Sequence, residues 1–410
     1  MSGTILGCGQ RGLTWDEGQA RPRQIAMRGA AAMAAAMGVG RFAYTPILPL
    51  MHTQAGLSPQ LGSALATANY AGYLAGALAG IAVPALARSR TALRVSLVLV
   101  TLTLALMPVT RDGSVWCTLR LVAGAASALV FVIAAGTLIT ALRTHGDHLI
   151  GWGFGGVGAG IALSGALVLA LRDAGTWRQA WWLVAALSLV LAIPAWRLPT
   201  DAAVTAKQRS SSSSPSPAPS PTARPMDGFT ALLASYFLEG VGYIIAGTFL
   251  VVAIDQSAPG WVGTSAWVLV GLAAMPSAAL WAGLSHRWSR ASLLTAALAI
   301  QAVGIVLPAL IGGVGPALVS AALFGGTFLG IATLALALGA QIGAPRAVAV
   351  LTAAYSVGQI ARPLLVTPLL HTGYRQALIV GAAVVALAAV AAGLLRPALV
   401  SAHDHEGESA

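Results

Sequence analysis

Phe229-Thr-Ala-Leu-Leu-Ala-Ser-Tyr-Phe-Leu-Glu239-Gly-Val-Gly-Tyr-Ile-Ile-Ala-Gly-Thr-Phe-Leu-Val-Val-Ala-Ile254 decides how this chain is read. The run is apolar and long enough to cross a bilayer as one helix, which takes about 20 residues. One acid, Glu239, stands near its middle. A carboxylate at that depth costs about 2.5–3.5 kcal/mol on insertion scales. No other acid of the chain lies deep inside such a run. A group held at that cost points to a partner, a proton or a substrate.

The rest of the chain agrees with a membrane reading. It is 57% hydrophobic and 9% charged, where soluble domains carry about 25% charged residues. Cys8 and Cys117 give neither a disulfide framework nor a metal spacing. Apart from Lys207, every cation is arginine, and the arginines lie mainly between apolar runs. That is the positive-inside pattern and not a basic groove, so nucleic-acid binding is excluded.

Twelve runs qualify as spans: 25–49, 60–86, 92–109, 115–142, 149–171, 178–198, 229–254, 262–285, 292–311, 316–342, 347–369 and 375–396. The first is too long for a signal-peptide core. Residues 1–24 form a polar arm, and Met27 offers a shorter start. Residues 199–228, with Ser210–Ser214 and Pro215, Pro217, Pro219 and Pro221, read as a disordered linker. A cytoplasmic N-terminus puts sixteen of the 23 Lys and Arg on the cytoplasmic side, against Arg111, Arg172, Arg178 and Arg375 opposite. Both termini are therefore expected in the cytoplasm.

The two sets of six spans repeat. Gly38-Val-Gly40 matches Gly240-Val-Gly242, Leu48 falls on Leu250, and Gly124 falls on Gly326, all at one offset. Arg178-Gln-Ala180 recurs as Arg375-Gln-Ala377. Two similar halves around a loop are the architecture of a rocking secondary transporter.

Three motifs add a resemblance. They are Gly38-Val-Gly-Arg41-Phe-Ala-Tyr44-Thr-Pro46-Ile-Leu-Pro49-Leu-Met51, Leu238-Glu239-Gly240-Val-Gly242-Tyr243-Ile-Ile245, and Gly358-Gln359 before Pro363. With the 6+6 repeat, residues 25–396 resemble the major facilitator superfamily, in its YbfB/YjiJ group. The resemblance implies a bacterial inner-membrane permease or exporter and no particular substrate. The general superfamily motifs are degraded: Ala87-Arg-Ser-Arg90 lacks the usual acid, and His286 stands where an acid is usual. Arg120-x-x-x-Gly124 resembles the motif of proton-coupled members.

Candidate residues follow from depth and helical spacing. Arg41 and Tyr44 share a face of span 1, and Arg362 lies equally deep in span 11. Guanidinium forks receive a carboxylate bidentately, so the functional reading is an anion clamp. The alternative is a structural ion pair, or a cap on carbonyls freed near Pro46 and Pro363. Glu239 and Tyr243 share a face of span 7; Glu239 is read as the carrier of a coupled proton, and alternatively as half of an Arg41–Glu239 gate between the halves. Gln359 with Tyr355 and Arg362, and Asn69 with Tyr73, form polar stripes read as substrate contacts or as interhelical hydrogen bonds. Arg120, near a span end, is read with Glu239 in proton coupling, or as a side chain snorkelling to the outer surface. Trp281, Phe328 and Phe154 either line a cavity or pack.

Gly151-x-Gly153-x-x-Gly156, with Asp173 following, fits a dinucleotide fingerprint, but it has no preceding strand and lies inside a span. Such a run instead lets helices approach and slide. His145 and His148 flank Asp147, and His403 and His405 flank Asp404; both sites read as solvated loops. No arranged nucleophile and base and no Walker loop occur, so neither an enzyme nor an ATP-driven pump is expected, and no cofactor.

The expectation is an all-α polytopic membrane protein. Its twelve transmembrane helices form two pseudo-symmetric six-helix bundles, 25–198 and 229–396, with a tail at 397–410. It is expected to act as a monomer in the lipid bilayer, moving a small organic anion or zwitterion by alternating access with protons as partner. A proton-driven exporter of amphipathic compounds is the alternative within transport. A non-transporting sensor or scaffold is the alternative outside it.

Overall fold

A computed structural model describes residues 17–143, 145, 147–171, 174–200, 226–257, 261–311, 313–344, 346–366 and 374–395. The N-terminal arm up to 16, linker residues 201–225, Asp173 and the chain beyond 395 lie outside the described residues.

Among the described residues the regular structure is helical, without strands. The helices are α1 (Glu17–Met33), α2 (Tyr44–Ala55), α3 (Pro59–Ala82), α4 (Pro84–Ala87), α5 (Arg90–Leu106), α6 (Gly113–Leu142), α7 (Asp147–Leu171) and α8 (Trp177–Ala195). They continue with α9 (Met226–Ser257), α10 (Trp261–Leu284), α11 (Arg290–Leu310), α12 (Val314–Ile342), α13 (Ala347–Val366) and α14 (Tyr374–Gly393).

Helix starts are set by short polar side chains. Ser58 accepts from the Leu61 amide ahead of α3, and Ser89 from Ala92 ahead of α5. Asp112 accepts from Ser114 and Val115 ahead of α6, and Ser289 from Ser292 ahead of α11. Thr176 and Gln179 form a reciprocal capping box ahead of α8. Each satisfies amides that a first helical turn leaves unpaired.

Nine of the described helices are long and apolar enough to cross a membrane. The expected spans 1, 2 and 11 fall short of that measure for separate reasons. The first is broken into α1, a π-helical turn at Ala34–Val39 and α2. Gln60, Ser63, Thr67 and Asn69 dilute α3. In α13 the apolar stretch Ala347–Ala361 is short.

Two groups of helices pack internally. In one, α3 and α5 lie on α6, and α1 on α7; in the other, α9 lies on α14 and α13, and α12 on α10 and α11. They meet along α7 against α10 and along α3 against α13. Large apolar side chains such as Leu102, Ile193, Leu280, Val303 and Val390 stay exposed on the outside. An exterior this apolar suits lipid rather than water.

The glycines of α7 explain the first of those meetings. A Cβ on Gly155 would stand 2.3 Å from the Met275 carbonyl oxygen, and one on Gly158 2.4 Å from the Met275 amide. Gly151 approaches Ala279 of α10 as closely. Gly156 and Gly160 turn the other way, onto Ala30 and Ala34 of α1 and its extension. The glycine run therefore serves two helix contacts, in the middle of one continuous helix.

Candidate functional site

The site begins with a proline. Pro46 has no amide hydrogen for the Phe42 carbonyl one turn earlier. The Thr45 amide turns to that carbonyl instead, at 3.2 Å. Ahead of it, Gly40 bonds five residues back to Ala35 at 2.9 Å. The chain between Val39 and Tyr44 is thus neither α-helical nor free, and the carbonyls of Gly40 and Arg41 are released from the helix ladder.

Arg120 of α6 takes up both. Its Nη1 donates to the Gly40 carbonyl and its Nη2 to the Arg41 carbonyl, each at 3.2 Å. Its guanidinium lies 4.9 Å from the Tyr44 ring centre. The snorkelling expectation for Arg120 does not hold, because the side chain is buried and turned inward onto the break. Asn69 secures the same corner by donating to the Arg120 carbonyl at 2.9 Å. Tyr44 donates to the Gly62 carbonyl at 2.8 Å and stacks on Trp181. These three residues tie the broken segment to α3, α6 and α8.

The break frees Arg41 to point across the molecule. Its Nη2 donates to Oε1 of Gln359 on α13. Arg41 belongs to the first helix group and Gln359 to the second, so this bond joins the two. The guanidinium also lies 4.1 Å from the Tyr73 ring centre and 5.4 Å from those of Phe42 and Tyr70. Its Nε, the Gln359 Nε2 and the Tyr355 hydroxyl are buried without hydrogen-bond partners.

Arg41 lines a central cavity of about 20 Å³, with Phe42, Tyr73, Phe131, Phe328 and Tyr355 among its walls. That is room for about one water molecule, so the centre is closed. Phe42 meets Phe328 edge-on at 6.1 Å and Trp267 at 6.4 Å, carrying aromatic contact between the groups. Tyr243 lies behind this wall, stacked on Phe328 at 4.6 Å and Phe324 at 5.2 Å.

Glu239 occupies a separate place. It is 1% exposed, and neither carboxyl oxygen has a hydrogen-bond partner. Its polar neighbour is Gln301 of α11, close enough to interact although the pair does not reach hydrogen-bond geometry. Glu239 is not among the cavity's lining residues, but on α9 it stands about one turn from both Tyr236 and Tyr243. The charged contact that Arg41 makes between the helix groups runs to Gln359 rather than to Glu239.

Of the residues singled out in the sequence, the structure brings Arg41 and Gln359 together and places Tyr243 against the same aromatic wall. It gathers Arg120, Asn69 and Tyr44 at the helix break, and sets Glu239 apart with Gln301. Arg362 falls on α13, and its side chain lies outside the described residues. Sequence reasoning missed Gln301; its signal was a single amide in the otherwise apolar run 292–311. It also undervalued Phe328, because an aromatic in a span is more often packing. Trp281 donates to the Gly326 carbonyl at 2.9 Å, and Phe154 packs edge-on against Phe131. No group of three or more His, Cys, Asp or Glu gathers among the described residues.

Compared with curated proteins, the chain has no significant match. A protein family matches residues 33–393, and its description is Uncharacterised MFS-type transporter YbfB. That range takes in the break in the first segment, the helices from α2 to α14 and every residue of the central site. The long apolar helices, the apolar exterior and this match agree: the chain is a multi-pass membrane protein and belongs to the YbfB family of major-facilitator-type transporters.

Proposed function

We propose that the protein is a secondary active transporter that moves a small organic anion through the central site and couples its movement to protons. The observation that carries this reading is the buried Arg41, joined to Gln359 of the opposite helix group and lining a closed cavity. A carboxylate arriving there finds a guanidinium with an unused donor. Accepting from Arg41, it takes the place of Gln359 and loosens one bond that holds the two groups together.

In this reading twelve helical rods cross the inner membrane of a bacterium as two six-helix bundles, and both termini are cytoplasmic. Alternating access is a rocking of one bundle against the other along α7 and α10, where glycine permits close backbone contact. Glu239 is the proton carrier: protonated, it can donate to Gln301, and charged, neither of its oxygens has a hydrogen-bond donor among the described residues. Its place behind Tyr236 and Tyr243 lets a change of charge reach the cavity wall without direct contact with the solute. This position favours a proton role over binding of a cationic drug. Arg120 supports the site as the staple of the broken helix.

The test is uptake of organic acids, amino acids and amphipathic drugs in right-side-out and everted vesicles, comparing wild type with Glu239→Gln. The expected result is accumulation of an acid that collapses with the proton gradient and in Glu239→Gln, while counterflow survives. Equal loss of accumulation and counterflow would reduce Glu239 to a structural group. A response confined to cationic drugs would remove the anion reading.

A further inference from the structure

We propose that the central cavity selects an organic monocarboxylate with a flat, apolar body, and rejects zwitterions, dicarboxylates and organic cations. The inference rests on the transporter reading above and narrows it to a chemical class.

The polar groups of the site set the charge of the ligand. Arg41 Nε and Gln359 Nε2 are donors only, and the Tyr355 hydroxyl can donate. All three are buried and unpartnered. No acidic side chain is among the described residues that line the cavity. A set of donors around one guanidinium is matched by a group that accepts and carries one negative charge. A carboxylate has two oxygens, enough to take the Arg41 fork and reach a second donor. An ammonium would have no acceptor of opposite charge at the wall and would face Arg41. Among the described lining residues, a second carboxylate would have only the Arg41 guanidinium to share.

The walls set the shape of the body. The Tyr73 ring centre lies 4.1 Å from the guanidinium carbon. Phe42, Phe131, Phe328 and Tyr355 complete an aromatic surface drawn from both helix groups. Tyr243 and Phe324 back Phe328 in a near-parallel stack. Rings of this kind favour offset-stacked or edge-on contact with a flat apolar partner. The cavity of about 20 Å³ holds no such body as it stands. Entry therefore requires the two groups to part, which breaking the Arg41–Gln359 bond permits. The same ligand that satisfies the orphaned donors opens the latch between them.

The experiment is equilibrium binding of radiolabelled benzoate to the full-length protein in lipid nanodiscs, with competition by acetate, succinate, phenylalanine and phenethylamine. The inference expects benzoate to bind and each competitor to be weaker by about tenfold or more, a step of RT ln 10. Arg41→Lys should weaken benzoate by at least that factor, because lysine cannot form the fork. Phe328→Leu should weaken benzoate more than acetate and so flatten the preference, which general loosening of the fold would not do. If Phe328→Leu is not monodisperse, Tyr73→Leu makes the same test from the other helix group. Competition by acetate, succinate or phenylalanine equal to benzoate overturns the inference. If vesicle uptake then still shows an Arg41-dependent organic anion, the transporter reading stands without this narrowing. If phenethylamine binds and benzoate does not, both fall.

Discussion

Arg120→Met removes the two hydrogen bonds that hold the break in the first apolar segment. Arg120 is 3% exposed and donates to the Gly40 and Arg41 carbonyls at 3.2 Å each. A hydrogen bond from a charged group is worth about 1.5–3 kcal/mol net, so losing two costs about 3–6 kcal/mol. Methionine keeps much of the apolar stem, so the loss is polar rather than a cavity. Asn69→Ala provides the internal scale. It deletes one neutral bond, to the Arg120 carbonyl, and such bonds average about 0.6 kcal/mol inside membranes. Arg120→Lys keeps the charge but reaches one carbonyl at a time, and should fall between the two. The assay is denaturant unfolding of the purified protein in detergent, followed by circular dichroism. Arg120→Met no more destabilising than Asn69→Ala would refute the reasoning, and would return Arg120 to a role other than support of the break.

Three further outcomes are expected. Gly155→Leu should abolish transport while the protein still inserts, since its Cβ alone would stand 2.3 Å from the Met275 carbonyl; Gly153→Ala, which meets only the movable end of Leu138, should keep substantial transport, as vesicle uptake against membrane abundance will show. Gln301→Leu takes away the amide that faces Glu239 and should lower gradient-driven accumulation while leaving Arg41-dependent solute binding in place, read by comparing uptake with equilibrium binding. Thr176→Ala breaks the capping box of α8 and should cost about 1 kcal/mol in the same unfolding assay, with transport of the remaining folded protein unchanged.

The membrane class was legible because composition and span length do not depend on tertiary contacts. Pro46 announced trouble in the first span, but a missing amide does not say which side chain repairs it. A cap on the freed carbonyls was weighed for Arg41, whereas Arg120, on another helix, supplies it. Glycine spacing in α7 told of close packing; that Gly151, Gly155 and Gly158 face one partner and Gly156 and Gly160 another follows only from the packed rotation of the helix. The meeting of Arg41 with Gln359 crosses more than three hundred positions, which no local pattern encodes. Gln359 was nonetheless singled out, since a polar stripe in an apolar run carries a cost that something must offset. Gln301 was passed over because a solitary amide forms no stripe.

The most direct test of the account is proton movement accompanying solute movement in proteoliposomes carrying a trapped pH indicator. With an inward gradient of an organic monoanion as the sole driving force, the wild type should change the internal pH. Glu239→Gln should exchange the solute without that change, and Arg41→Lys should do little of either. Solute flux through the wild type with no pH response, or a pH response that persists in Glu239→Gln, would contradict the account.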